Sequence, residues 1–271
     1  MSIRGLLSLA IVFTIPAMPI LSHEYWIDAS KFHPTPDEEV TADLRVGSDL
    51  SGEVFPWLKQ SFRAVQLWSP DQGPTPLTGR TGDIPALRLP SLDAGLHRIS
   101  VETTPSFVIF ETMDVFEDYL AYEGLTGILE SHRSRSLPET GFGERYSRNA
   151  RALIQSGPVI EGQTDAPTDM PFELVAQGNP YEPGLGSLPV RLTWQGEPAA
   201  GVQVALFHAA PEAEPPQGVT RQLFTTDGEG LVTIPLQGQG LHLLSAVRIE
   251  PVEDSAAAVW QSWWASLSFS P

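Results

Sequence analysis

Apolar and polar residues alternate with a period of two through the first third of the chain after its leader. Val40-Thr41-Ala42-Asp43-Leu44-Arg45-Val46 and Ala64-Val65-Gln66-Leu67-Trp68 are the cleanest runs. Side chains of a strand point alternately to its two faces, so each run predicts a strand with one buried side. Turn formers separate them: Gly47-Ser48-Asp49, Ser69-Pro70-Asp71-Gln72-Gly73-Pro74 and Asp93-Ala94-Gly95. A further strand pair is predicted over residues 96–102 and 107–111, joined through Thr104-Pro105-Ser106. Short strands at regular spacing predict a sandwich.

Near Asp114 the period changes. Phe116, Tyr119, Leu120, Leu125, Ile128, Leu129 and His132 recur at helical spacing, with Gly124 dividing two short helices. A third helix is predicted over 144–155, with Tyr146, Ala150, Leu153 and Ile154 as its apolar face, ended by Gly157-Pro158. Residues 161–171 read as a polar linker. Strand patterns then return at 189–194, 202–207, 223–225, 231–235, 241–249 and 263–269. Asp227-Gly228-Glu229-Gly230 is placed to turn a hairpin.

Gly95-Leu96-His97-Arg98-Ile99-Ser100-Val101 is echoed by Gly240-Leu241-His242-Leu243-Leu244-Ser245-Ala246. In both, a turn glycine precedes a strand with an early histidine. The echo reads either as two sandwiches built to one plan or as convergence on a common strand motif. The fold expected is mainly β, with two immunoglobulin-like β-sandwich domains and a small helical insert between them. Its boundaries are 1–22 for a signal peptide, 23–113 for the first sandwich, 114–160 for the insert, and 161–271 for the linker and second sandwich.

The leader supports export. Arg4 gives a short positive start, residues 5–20 form an apolar run broken by Pro16 and Pro19, and Ser22 offers a small residue for cleavage. Ala17 is a competing cleavage position. The run is short for a membrane span, so no stable membrane insertion is expected after cleavage, and the mature chain is expected in the periplasm or secreted. The chain has no cysteine, hence neither a disulfide framework nor a lipidation site. Thirty-three acidic against 16 basic residues give a formal net charge of −17, which repels nucleic acid and anionic lipid.

Several segments, in order, resemble one family. They are His23-Glu24-Tyr25-Trp26, Arg45-Val46-Gly47, the stretch 98–110 around Pro105-Ser106-Phe107, Tyr119-Leu120 and Glu123-Gly124-Leu125. Glu144-Arg145-Tyr146-Ser147-Arg148, Asn179-Pro180-Tyr181, Thr226-Asp227-Gly228-Glu229-Gly230 and Trp264-Ala265-Ser266-Leu267 complete them. On these the chain resembles an exported bacterial family of unknown function, formerly labelled as a periplasmic component of nickel or cobalt uptake. The resemblance implies a periplasmic β-rich protein with a link to a metal ion or a membrane transport component. One departure is Arg248, standing where the resemblance leads to a histidine.

Cleavage after Ser22 would make His23 the first residue, with an α-amine and an imidazole able to chelate one ion. Such nitrogen ligands suit Cu(II), Ni(II), Co(II) or Zn(II). His97 and His242 are the candidates for a second ligand, against packing roles in their strands. His132 reads as a core residue; His33 and His208 read as exposed. Arg133, Arg135, Arg145, Arg148 and Arg151 make the helical insert locally basic, and pairing with acidic surfaces of the flanking domains is the favoured reading over anion binding. Trp260, Trp263 and Trp264 put Trp263 toward a core and Trp264 on the opposite face. An exposed tryptophan pair would instead make a carbohydrate- or protein-binding surface module. No Gly-x-Ser-x-Gly, cysteine nucleophile, phosphate loop or dinucleotide fingerprint is found, so a binding role is expected rather than an enzyme.

Overall fold

The computed structural model describes residues 23–70, 72–253, 255 and 257–271; the expected signal peptide lies outside them. The chain is mainly β and arranged in sandwich layers. Its first half runs β1 (Glu24–Ala29), β2 (Thr41–Ser48), β3 (Ser51–Phe55), β4 (Phe62–Trp68), β5 (Thr75–Pro76), β6 (Leu87–Arg88) and β7 (Gly95–Thr103). There follow β8 (Ser106–Phe110), helices α1 (Met113–Tyr122) and α2 (Ile128–Ser134), and the long β9 (Phe142–Ser156). The second half runs β10 (Phe172–Ala176), β11 (Ser187–Trp194), β12 (Glu197–Pro198), β13 (Gln203–Ala209), β14 (Val219–Thr225), β15 (Leu231–Pro235), β16 (Leu241–Pro251) and β17 (Trp260–Phe269).

The two halves repeat one order of strands. The first has a small sheet β1-β2-β3 with β6 beside β2; the second has β10-β11-β12 with β15 beside β11. The remaining strands form one nine-stranded sheet, β14-β13-β16-β17-β9-β7-β4-β5, with β8 beside β9. Its middle is the parallel pair β9 and β17, which runs Glu144 beside Trp260 to Ala152 beside Ser268. Relating the halves by an axis along that pair keeps its strands parallel and exchanges the faces of the sheet. The packing agrees. Ser266 and Ser268 donate to the Tyr25 and Ile27 carbonyls of β1 on one face. On the other, Arg151 reaches the Leu174 carbonyl of β10, and Trp263 meets Trp194 of β11.

The sandwiches expected as separate bodies are therefore joined through a shared sheet. The predicted helix over 144–155 is the strand β9. Its spacing of Tyr146, Ala150, Leu153 and Ile154 mimics a helix because β9 lies mid-sheet and buries both faces, which erases the alternation. Pairing with β17 on one side and with β7 and β8 on the other outweighs the local preference. Two predicted hairpins are also absent. β7 and β8 follow one another along the same side of β9, while β14 and β15 belong to different sheets across the Asp227–Gly230 turn.

The helices cover the end of the shared sheet that β1 leaves open. Phe116, Tyr119 and Leu120 of α1 pack with Phe110, Phe142, Val247, Ile249, Trp260 and Trp264. Among the described residues no helix is long and apolar enough to cross a membrane.

Candidate functional site

Where β1 begins, beside α1 and the first residues of β9, a cavity of about 420 Å³ opens to solvent. Once residues 142–156 form a strand, Glu144, Tyr146 and Arg148 fall on one face at spacing two. Trp264 of β17 stands beside Arg148 on the same face. These four, with His23, Tyr119 and residues 107–111, line the cavity. A neighbouring hollow of about 130 Å³ shares Tyr146 and Arg148 as its wall. A third, of about 430 Å³, lies near exposed Lys31 and His33.

Glu144 is the chemically unusual wall residue. It is only 2% exposed; one oxygen accepts from Ser262 and, at 3.5 Å, from the Tyr119 hydroxyl, and Oε2 has no partner. Burial pushes its carboxyl up to about 7, those two hydrogen bonds oppose this, and Glu123 adds to it. Glu24, next to His23, is likewise buried and pushed up to about 8, first by burial and then by Glu123. Tyr119 is raised by burial and by the nearby Glu144 and Glu123.

Arg148 is the cation of the site. Its guanidinium lies 5.4 Å from the Tyr25 ring centroid, 5.2 Å from Tyr146 and 5.8 Å from Trp264. Among the described residues no carboxylate lies within ion-pair distance of it and its Nη1 is shielded from solvent without a hydrogen-bond partner, though Tyr146, Tyr25 and Glu24 favour its charge against the burial that lowers its pKa. The other arginines of the basic segment are placed differently. Arg151 pairs with Asp165 and Glu173 in the second half, as favoured from sequence, whereas Arg133 pairs with Glu117 of α1, within the expected insert itself. Arg135 instead donates to the Val252 and Val259 carbonyls, and Arg145 to Gln261.

Of the three candidate metal ligands, His23 alone borders the cavity. Burial lowers its pKa, Arg148 lowers it further and Glu53 opposes them, so its imidazole is neutral near pH 7. His97 sits opposite Ile154, six residues along β9 from Arg148, or about 20 Å at the usual rise per residue. Its ring nitrogens meet Ser69 Oγ at 3.1 Å and the Asp93 carbonyl at 2.8 Å. His242 lies on the other face of the sheet, opposite Phe269. There its Nδ1 meets the Gly240 carbonyl at 3.0 Å and its Nε2 accepts from the Gln237 amide at 3.2 Å. Each packs at the same point of its own half, so the echo noted in the sequence follows the structural repeat. Among the described residues no three His, Cys, Asp or Glu side chains are grouped as a metal ion would need.

His132 is in the core, accepting from Trp260 Nε1. His33 is exposed, but His208 is buried against His242, with ring centroids 4.5 Å apart. Trp263 and Trp264 do lie on opposite faces. Trp264 is the more buried; Trp263 is half-buried against Trp194. Sequence reasoning left Glu144, Tyr119 and Arg148 out of the site. The signal that could have found them was the period of two in Glu144, Tyr146 and Arg148, hidden once the segment was read as a helix.

In comparison with known families, residues 20–250 fit the family described as a domain of unknown function, DUF4198. No curated protein matches the chain.

Proposed function

Since the chain belongs to this DUF4198 family, whose function is unknown, we propose from its own site that it is an exported binding or accessory protein whose ligand enters the cavity at His23. The observation that carries this reading is where His23 stands. The residue expected to begin the mature chain lines the same cavity as a protonatable buried carboxyl and a guanidinium without a carboxylate partner. Ligand sites are typically concave, largely apolar and furnished with a few convergent polar groups, and this cavity has that make-up.

Within this reading, cleavage after Ser22 puts an amine and an imidazole at the rim, the start of a coordination shell for Cu, Ni, Co or Zn. The role is then that of a periplasmic partner to a metal-uptake or homeostasis system. The test is calorimetric titration of Cu(II) and Ni(II) into the chain beginning at His23 and into one carrying an extra alanine before it. The first should bind one ion at least tenfold more tightly, because the extension keeps the imidazole and displaces the amine. Equal affinity for both chains would remove the terminal chelate.

A further inference from the structure

The charge and shape of the cavity point to one class of organic ligand. Its walls carry the rings of Phe107, Phe110, Tyr119, Tyr146 and Trp264. Phe107 and Ile109, on the cavity lip, are each 59% exposed, so apolar surface continues from the interior to the mouth. Aromatic walls hold flat apolar bodies by area and by ring contact. A volume of about 420 Å³ lies toward the lower end of the roughly 300–1,000 Å³ range of small-molecule sites, suited to one or two rings.

Arg148 decides the polar end. A guanidinium drawn among three rings has given up part of its hydration; among the described residues no carboxylate lies within ion-pair distance, and Tyr146, Tyr25 and the more distant Glu24 offset the burial only in part. A cation compensated only in part favours an incoming anion, most of all a carboxylate that matches its fork of donors. Glu144 and Glu111 line the same cavity, so a dianion such as phosphate would meet more acidic repulsion there than a single carboxylate. Burial, which raises the Glu144 carboxyl to about 7, also weakens its repulsion of a single carboxylate held on Arg148.

We propose that this cavity binds a small monocarboxylate with a flat apolar body, its carboxylate on Arg148 and its body between Tyr146, Trp264 and the 107–110 wall. The proposal rests on the reading of this cavity as the binding site and names the ligand class that reading leaves open.

The probes are phenylacetate, its neutral near-isostere phenylacetamide, and acetate, each titrated calorimetrically into the chain beginning at His23 at pH 6.5. Phenylacetate should bind at least tenfold more tightly than either other compound. Arg148→Gln should lower its affinity to the level of the amide, whereas Arg148→Lys should keep part of the preference. The comparison of three probes on the unsubstituted protein decides the matter even if the variants fail to fold. Equal binding of acid and amide would overturn the carboxylate class and leave the cavity as a site. Binding of none would overturn the class outright, while the metal titration above tests the His23 reading separately.

Discussion

Arg151 and Asp165 are joined at 2.6 Å with neither side chain touching solvent. Arg151 lies on β9 of the first half and Asp165 in the segment leading to the second. The same guanidinium donates to the Leu174 carbonyl on β10 at 2.5 Å and to the Ala166 carbonyl at 2.7 Å. One side chain therefore ties the connecting segment and the second small sheet onto the shared sheet.

Removing Arg151 leaves Asp165 and Glu173 buried without their cation. Breaking a buried pair from one side typically costs about 3–5 kcal/mol, since the remaining charge keeps its desolvation penalty. Arg151→Ala is expected to lower the stability measured by urea unfolding by that amount. Arg151→Met should cost less than Ala because it refills the volume. A loss under about 1 kcal/mol for Arg151→Ala would mean the network is replaceable by water.

The tryptophans of β17 give a second prediction. Trp264 packs on Tyr119 with ring centroids 6.0 Å apart and donates to Ser262 Oγ at 3.1 Å, at the back of the cavity. Trp264→Ala should cost about 3–5 kcal/mol, the usual range for a core aromatic, and Trp263→Ala, at a half-buried position, less. Thermal melts of the two variants would settle the order, and the reverse order would contradict the burial described here.

How much of this the sequence disclosed depended on whether each signal was local. Strands with one solvated side, such as β2 and β4, stood out by alternation. The helices α1 and α2 were legible from Phe116, Tyr119 and His132, with Gly124 between them. The glycine-histidine echo was legible too, because Gly240 has a local requirement. Its φ is +114°, and a Cβ there would come within 2.1 Å of the Ala209 carbonyl oxygen. What stayed hidden was set by distant pairing. β9 reads as a helix until β17, more than a hundred residues later, is known to lie beside it. The site shared that fate, since Glu144, Tyr146 and Arg148 acquire a common face only in a strand. Arg148 falls among five arginines of which Arg133 and Arg151 find acidic partners, and its difference from Arg151 is a matter of tertiary placement alone.

The last prediction concerns pH. In the unfolded chain Glu24 and Glu144 are ordinary carboxyls, and folding raises them to about 8 and about 7. Their protonated forms are the ones the folded chain prefers. The stability they confer is thus greatest below about 4.5 and is lost progressively as pH rises from there, until Glu144 has ionised near 7 and Glu24 near 8. Glu24 faces Glu123 and Asp49, which oppose its charge, and Arg221, which favours it. Glu144 faces Tyr119, Ser262 and Glu123. The buried histidines act in the opposite sense at lower pH. His97 and His242 have lowered pKa values, and each must be held neutral against an unfolded chain that gains protons below about 6.5. Between pH 6.5 and 8.5 the carboxyls therefore dominate, with the histidines opposing them only at the acid end of the window. Across that window urea unfolding should show stability falling by about 2 kcal/mol, at no more than ~1.4 kcal/mol per pH unit for each group. Glu24→Gln, which fixes the neutral form, should flatten most of the slope, and Glu144→Gln the part nearest pH 7. A slope unchanged in both variants would mean that these carboxyls ionise as exposed ones do, and that Glu144 is not held protonated at the cavity wall near neutral pH.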